Sequence, residues 1–218
     1  IWGKGHYIQN TNSSWKGYSN GVLFHEIEVI ASSEAVDPGP DEGELVDANI
    51  LLGLTPSSNS PHKIVVGGPT VPQVQIQNPE CATDGIKSGS NLDADNNTKI
   101  IAGTETGGDD NGYSGWDWVY LQYDFGKERD VKKVNLYRNT YDNAVSTFKD
   151  VKVEVASSED FSDSRIIYGG ETGEDYEETT DTKGEPQTIV LDELLTARYI
   201  RIWGKGHYIQ NTNSSWKG

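Results

Sequence analysis

Residues 119–125 read Val-Tyr-Leu-Gln-Tyr-Asp-Phe, with an apolar or aromatic side chain at every second position. Successive side chains of a strand point to opposite faces of a sheet, so this alternation predicts a β-strand with one buried face. The pattern returns in short segments bounded by Gly, Asn, Asp or Ser, at 131–137, 148–155, 188–191, 198–202 and 24–30. No stretch carries an apolar stripe at helical spacing over more than two turns. Many short strands with turn signals predict an all-β chain folded as an antiparallel β-sandwich.

The two ends of the chain have the same sequence. Residues 1–17, the N-terminal copy, and residues 202–218, the C-terminal copy, both read IWGKGHYIQNTNSSWKG. The C-terminal copy follows one strand-like segment, and the N-terminal copy precedes another, at 18–31. Two origins explain this pattern: a piece cut out of phase from an array of near-identical repeats, or one domain circularly permuted with its junction duplicated. We favour the array, because a permuted domain rarely needs so long an overlap.

The repeat divides the chain into three parts. Residues 1–31 are predicted to be the C-terminal end of one repeat, which completes a sandwich. Residues 32–47, rich in Pro, Gly and acid, are predicted to be a linker, and residues 48–218 to be the next repeat without its last strand. The strand-like segment at 18–31 can reach back into its own chain's sandwich or complete that of a neighbouring copy. In an array we expect the second case, with copies running head to tail.

Charge and composition narrow the range of partners. The formal net charge is −16, from 34 acidic and 18 basic residues. Such a surface repels phosphate backbones and anionic lipids and suits divalent cations, so we predict no nucleic-acid partner. No apolar run approaches the roughly 18 residues of a membrane helix, so we predict no membrane insertion. The single cysteine, Cys81, excludes an intradomain disulfide and is expected to be a small buried side chain.

Sequence patterns of common catalytic sites are missing. The chain has no HExxH, GxSxG, P-loop or CxxC motif, and His25-Glu26 lacks the second histidine of a zinc protease. Paired carboxylates are frequent in any acidic protein, so they do not indicate glycoside hydrolysis by themselves. We therefore predict that the chain is not an enzyme.

Several motifs, in order, resemble the discoidin domain, also called the coagulation factor V/VIII C-type domain, and most closely the family 32 carbohydrate-binding modules of bacteria. They are 49–58 (NILLGLTPSS), 82–85 (ATDG), 98–103 (TKIIAG), 118–126 (WVYLQYDFG), 131–137, 197–202 (ARYIRI) and 21–30. The resemblance implies a galactose-binding-like jelly-roll sandwich of about eight antiparallel strands, extracellular or on a cell surface. It also implies a non-enzymatic module with a structural calcium ion and a sugar site among the loops at one end. The insert at 88–97 departs from the family pattern.

The resemblance supplies candidate calcium ligands. In the family, the cation is held by the Asp of an Asp-Gly turn, a downstream Thr and a Glu near the final strand. These correspond to Asp84, Thr98 and Glu26 in this sequence. Calcium prefers hard oxygen ligands of this kind. The alternative is that Asp84 only caps the turn, without a metal.

The resemblance also supplies candidate sugar-binding residues. The family places an Arg and an Asn that grip hydroxyls in the loop that here carries Arg138 and Asn143. Flat aromatic rings stack on pyranose rings, and five further residues lie in loops that could contribute: His6, Tyr7 and Trp15 before the last strand, and Tyr113 and Trp116 in a Gly-rich loop. The alternative is that the loop aromatics pack at the rim. For Trp118 and Trp203, which lie within alternating strands, we predict core or rim packing.

Two functions fit these expectations. One is a non-catalytic extracellular repeat module of a surface adhesin or filament, which assembles head to tail by strand complementation with neighbouring copies. The alternative is a calcium-stabilised carbohydrate-binding module that recognises glycans, with repetition adding avidity. The identity of the two copies favours the first, and the pair Arg138 and Asn143 favours the second.

Overall fold

A computed structural model describes residues 7–9, 16–18, 21–34, 45–60, 64–65, 73–87, 98–101, 118–137, 139–141, 144–170, 174–175 and 185–210. Within these ranges the secondary structure consists of strands and one 3-10 turn. The strands are β1 (Tyr7–Gln9), β2 (Lys16–Tyr18), β3 (Gly21–Phe24), β4 (Glu26–Glu34), β5 (Leu45–Asn49), β6 (Ser57–Ser58), β7 (Ile64–Val65), β8 (Gln73–Val74), β9 (Thr98–Ile101), β10 (Val119–Tyr137), β11 (Asn139–Tyr141), β12 (Ala144–Ala156), β13 (Arg165–Tyr168), β14 (Glu174–Asp175) and β15 (Gln187–Gln210). The turn spans Cys81–Thr83.

The long antiparallel pair β10 and β15 forms the centre of the fold. The main sheet has the order β11-β12-β15-β10-β4-β5, and β13 and β14 pair with β12 while β6 pairs with β10. One half of the β10–β15 pair lies beside β12, and the other half lies beside β4. The predicted all-β, antiparallel sandwich is therefore confirmed.

An irregularity in β10 separates these two halves. The pairing of β10 with β15 shifts register between Asp124 and Arg129 and again between Val131 and Lys133. Gly126 lies in the first interruption at a φ of +76°, a conformation that glycine adopts without strain, and its amide bonds to Asp124 Oδ1 at 2.7 Å. Irregularities of this kind bend a strand, which lets one long strand serve both halves of the sandwich.

The alternating pattern that predicted the strands also fills the core. On the first half of β10, Val119, Leu121 and Tyr123 are buried, and their neighbours Tyr120 and Gln122 are not. The core also includes side chains from the other long strands: Ile27 and Val29 of β4, Val134 and Leu136 of β10, Val151, Val153 and Val155 of β12, and Ile200 and Ile202 of β15. Burial of this apolar surface is the main term that stabilises the sandwich.

The N-terminal strands complete the sandwich of their own chain. β3 pairs with β9, and β4 lies between β10 and β5. β4 and β5 form a hairpin in which Ser32 pairs with Asp47 and Glu34 pairs with Leu45. Residues 32–34 and 45–47, which we assigned to a linker, are thus the paired ends of this hairpin. The structure shows the first of the two expected arrangements, and head-to-tail exchange stays a prediction.

Candidate functional site

The residues assigned to a sugar site fall almost entirely outside the described residues. Tyr7 belongs to β1, where only the backbone pairing with Tyr18 is described. Its counterpart in the C-terminal copy, Tyr208, pairs with Thr147 in β12, again through the backbone. The remaining candidates outside the described ranges are Arg138, Asn143, His6, Trp15, Tyr113 and Trp116. The sugar site therefore stays a prediction.

The three candidate calcium ligands lie around one turn. Glu26 is the first residue of β4, Thr98 is the first residue of β9, and Asp84 directly follows the 3-10 turn. The backbone amide of Ala82 donates to Thr98 Oγ1 at 2.9 Å, and the amide of Gly85 donates to Glu26 Oε2 at 3.3 Å. Asp84 lies in the chain between the two residues anchored in this way.

The conformation of the turn follows from its residue types. Gly85 has a φ of +84°, which glycine adopts readily, and Asp84 Oδ1 accepts a hydrogen bond from the Ile86 amide at 2.8 Å. Thr98 Oγ1 donates to the carbonyl oxygen of Asn78 at 2.7 Å. Asp84 thus stabilises the turn through one carboxylate oxygen, as the metal-free alternative requires, and its second oxygen is not used in that bond.

Glu26 is a buried carboxyl group with little compensation. The side chain has no solvent exposure, and its Oε1 has no hydrogen-bond partner among the described residues. Burial, and after it the negative charges of Asp84 and Glu28, raise the pKa of Glu26 to about 8, although the Gly85 amide and Lys87 oppose the shift. A buried carboxyl group is stable either as the neutral acid or as a carboxylate beside a cation. Both forms are accessible near neutral pH.

A second buried polar group, the hydroxyl of Tyr123, interacts electrostatically with Glu26. Tyr123 is buried in the core, and no described residue bonds to its hydroxyl group. Burial, and next the charge of Glu26, hold the pKa of Tyr123 above its usual range. The tyrosine is therefore neutral. Its hydroxyl group can therefore donate a hydrogen bond to a polar group or a water molecule on the Glu26 side of the core.

The donor set around the turn fits calcium better than zinc. Within the described ranges, no three His, Cys, Asp or Glu side chains come together to hold a metal. The turn offers two carboxylates, Glu26 and Asp84, together with the hydroxyl of Thr98 and backbone carbonyl groups. Calcium takes six to eight oxygen ligands and accepts carbonyl groups and water among them, whereas structural zinc needs sulfur or nitrogen ligands. Oε1 of Glu26, which no described residue bonds, is the oxygen that a cation could use.

A neighbouring glutamate has the opposite environment. Glu28 Oε2 accepts hydrogen bonds from Asn135 Nδ2 at 2.9 Å and the Tyr137 hydroxyl at 3.0 Å, and Lys87 Nζ lies 2.8 Å from Oε1. Asn135 is held in turn by the Thr188 hydroxyl, at 3.0 Å from Asn135 Oδ1. Burial acts to raise the pKa of Glu28, but the bonds from Lys87, Asn135 and Tyr137 outweigh it and the pKa is lowered. Glu28 is thus a structural carboxylate.

A cluster of cations and aromatic rings covers the outer face of β10, β15 and β12. The guanidinium carbon of Arg201 lies 3.7 Å from the ring centroid of Phe161 and 4.3 Å from that of Tyr120. Its Nε donates to Gln122 Oε1 at 2.8 Å, and its Nη1 lies 3.5 Å from Glu154 Oε1. The guanidinium of Arg201 is therefore bonded within the sheet face to Gln122 and Glu154.

Trp118 and Trp203 belong to this outer cluster. Trp203 Nε1 donates to Glu154 Oε1 at 2.7 Å, and Lys152 Nζ lies 4.7 Å from a Trp203 ring centroid and 5.0 Å from that of Trp118. Both tryptophans are half-buried, and neither belongs to the hydrophobic core. Of the two predicted kinds of packing, core and rim, the structure therefore shows rim packing. Lys152 lies over both indoles, which reduces the ring surface open to a sugar.

Sequence reasoning missed the Glu28 network and the Arg201 cluster. The strand alternation contains a signal for the second, because Tyr199, Arg201 and Trp203 occupy every second position opposite the apolar Ile200 and Ile202. No comparable signal marks Glu28, whose partners come from a loop and from the second half of β10. Separately, none of the described residues forms a helix long and apolar enough to cross a membrane.

Comparison with known proteins agrees with this architecture. The family model of the F5/8 type C domain matches residues 76–217, well over half of the chain. The matched range contains Asp84, Thr98, both long central strands and the C-terminal copy, except its last residue. No curated protein matches the chain. The sandwich and the family match agree, and the chain belongs to the F5/8 type C domain family.

Proposed function

We propose that this chain is a non-catalytic, extracellular glycan-binding module whose sandwich is stabilised by calcium at Glu26, Asp84 and Thr98. F5/8 type C domains are carbohydrate- and ligand-binding modules, generally non-enzymatic and typically extracellular or on a cell surface. The observation that carries the calcium assignment is Glu26, which is fully buried beside the Asp84 turn and has an oxygen with no partner among the residues that the structure describes.

Calcium would act on this site through electrostatics. A cation beside the turn would favour the ionised form of Glu26 and reduce its repulsion with Asp84. It would also tie the first residues of β4 and β9 to the Cys81–Thr83 turn. Because the unfolded chain has no such site, binding would stabilise the folded state by about 2.7 kcal/mol at 100 times the dissociation constant.

The glycan assignment depends on residues that flank the short strand β11 in sequence. Arg138 and Asn143 have the hydrogen-bonding groups that recognise vicinal hydroxyl groups, and the candidate aromatics could stack on the sugar ring. The Arg201 cluster supports this choice indirectly. Its groups Arg201, Gln122, Trp203 and Glu154 already bond to one another, so they are poor candidates for the same role.

The calcium assignment is tested by thermal unfolding in chelator and in excess calcium. We expect calcium to raise the melting temperature of the native sequence and to have no effect on Glu26→Gln. Glu193→Gln serves as a matched control, because Glu193 is 66% exposed and lies far along β15 from the turn in sequence. Equal calcium responses of Glu26→Gln and Glu193→Gln would refute the site.

The glycan assignment is tested by a glycan array with the full chain in calcium, followed by titration of the best ligand. We expect Arg138→Ala to weaken binding about 10-fold or more, because each unpaired hydroxyl contact costs about 1–3 kcal/mol. Arg165→Ala is the control, since Arg165 is an exposed arginine whose ion pair in the described part of the chain is with exposed Glu193. Unchanged affinity in Arg138→Ala would move the site to other loops.

Head-to-tail assembly of copies is a second candidate function. The identity of residues 1–17 and 202–218 favours it, because tandem copies would carry the same junction. Exchange of β3 and β4 between chains would preserve every pairing of these strands. Solution scattering across a concentration series tests this proposal. We expect growth of elongated particles with concentration, and a compact monomer at all concentrations would exclude it.

A further inference from the structure

Two segments of identical sequence have different strand partners in this fold. In the C-terminal copy, Ile202–Gln210 forms the last part of β15 and pairs with β12, from Val153 opposite Ile202 to Val145 opposite Gln210. In the N-terminal copy, Tyr7–Gln9 pairs with Lys16–Tyr18 in a separate two-stranded sheet. The counterparts of Tyr7–Gln9 in the C-terminal copy, Tyr208–Gln210, thus pair with β12 of the main sheet, whereas Tyr7–Gln9 pairs with β2.

The place beside β12 is specified by residues that both copies contain. Ile202 is fully buried between Leu121 of β10 and Val153 of β12. Trp203 points to the outer face and donates to Glu154. The N-terminal copy has the counterparts Ile1 and Trp2 at the same spacing. Side-chain packing and backbone pairing in this place would therefore be the same for either copy.

The N-terminal copy is attached to the fold close to this place. It continues through Tyr18 into β3, which packs against both β12 and β15. The roughly 11 residues between Gln9 and Gly21 can extend over about 36 Å, at 3.3 Å per residue. That reach is comparable to the dimensions of a domain of this size. A tether of this length also gives the segment a high effective concentration at β12.

We propose that the edge of β12 from Val145 to Val153 is a binding site for the N-terminal copy of the same chain. Residues 1–9 replace Ile202–Gln210 beside β12 and keep their register. The sandwich then exists in two forms. In one form, Ile202–Gln210 pairs with β12, and in the other form, residues 1–9 pair with β12. The exchange requires neither calcium nor a sugar ligand, so it is independent of the function proposed above.

Matched core substitutions test the exchange. Ile200 and Ile202 are both isoleucines of β15 with no solvent exposure, but only Ile202 has a counterpart in the N-terminal copy. We expect Ile200→Asp to prevent folding, because a buried charge has no partner there. Ile202→Asp should retain a cooperative unfolding transition and native β-sheet circular dichroism, since the N-terminal copy supplies Ile1. Adding Ile1→Asp to Ile202→Asp should then abolish folding.

Disulfide trapping gives a second readout in a background that folds. Lys152 is directly opposite Trp203 in the sheet, so Lys152→Cys with Trp203→Cys is the positive control, in chains carrying Cys81→Ala. The test pair is Lys152→Cys with Trp2→Cys, and we expect an intrachain disulfide. Equal unfolding of the two aspartate variants, with no disulfide in the test pair, would overturn the proposal. A disulfide found only between chains would also overturn it, and would assign the segment to a second copy.

Discussion

Glu26 and Glu28 are two residues apart on β4, and both are buried, yet their surroundings differ. The Glu26 pocket gives its carboxyl group one backbone amide and two neighbouring negative charges. The Glu28 network gives its carboxylate an amide, a phenol and an ammonium group. The pKa is raised to about 8 in the first case and lowered in the second. Burial is the largest cause of the raised pKa of Glu26, whereas the three donors around Glu28 outweigh the effect of burial there.

The difference separates a structural carboxylate from a candidate ligand. Glu28 has its bonds satisfied within the protein, so a cation would have to displace them. Glu26 keeps one oxygen without a partner among the described residues, and burial penalises its ionised form, a cost that a cation can offset. Two further properties follow from this contrast and can be measured, namely the pH dependence of stability and its response to substitution.

The largest expected effect is a loss of stability with rising pH in the absence of calcium. Below about pH 4.5 both folded and unfolded chains hold the Glu26 proton. Between pH 4.5 and about 8 the unfolded chain releases it and the folded chain keeps it, so the folded state loses relative stability as the pH rises. The integrated loss is a few kcal/mol. Urea unfolding of the native sequence and of Glu26→Gln, at several pH values in chelator, isolates the contribution of Glu26 to this loss.

Calcium provides the control for that measurement. If the cation binds the carboxylate of Glu26, saturating calcium should flatten the difference between the native sequence and Glu26→Gln over the same pH range. A difference curve that is flat in chelator as well would show that Glu26 titrates normally and that its pocket is more accessible than the structure shows.

The next largest effect is expected in the Glu28 network. Glu28→Gln removes the charge that Lys87, Asn135 and Tyr137 bind, and we expect a cost of about 2 kcal/mol near neutral pH. The pKa of Glu28 is lowered in the folded state, so its contribution is present above about pH 4.5 and disappears as the pH falls through the folded value. Chemical unfolding at pH 7 and pH 3 measures this. A cost that is equal at both pH values would contradict a charge-dependent role.

Some of this organisation was predictable from sequence because it is local. Alternation along Val119–Phe125 predicts a half-buried strand, and the structure buries the predicted side chains. The motif positions Asp84, Thr98 and Glu26 come from family resemblance. Asp84 lies 58 residues after Glu26 and Thr98 lies 72 residues after it, so periodicity alone could not connect the three positions.

The remaining features depend on contacts that the sequence does not encode locally. The alternation at 24–30 predicts a strand but does not say which chain it completes, and β4 proves to lie between β10 and β5 of the same chain. Nor can the sequence distinguish Glu26 from Glu28. The second half of β10 pairs with β4 at both residues, but the side chains of Lys87, Asn135 and Tyr137 bond only to the carboxylate of Glu28 among the described contacts.

The smallest expected effect tests the link between Asp84 and Glu26. The charge of Asp84 raises the pKa of Glu26, after burial, which is the larger cause. Asp84→Asn should therefore lower the pKa of Glu26 and reduce the loss of stability between pH 4.5 and 8 in chelator, by about 0.5 kcal/mol, because Asp84 is exposed and screened by solvent. The Asn side chain can still accept the bond from Ile86, so the turn should persist.

In calcium the sign should reverse, because the same substitution removes a ligand charge and weakens the stabilisation by the cation. Unfolding curves of Asp84→Asn and the native sequence, recorded in chelator and in calcium, measure both differences. A change of the same sign in both conditions would mean that Asp84 acts through the turn alone, and the Glu26 pocket would then need another source for its cation ligands.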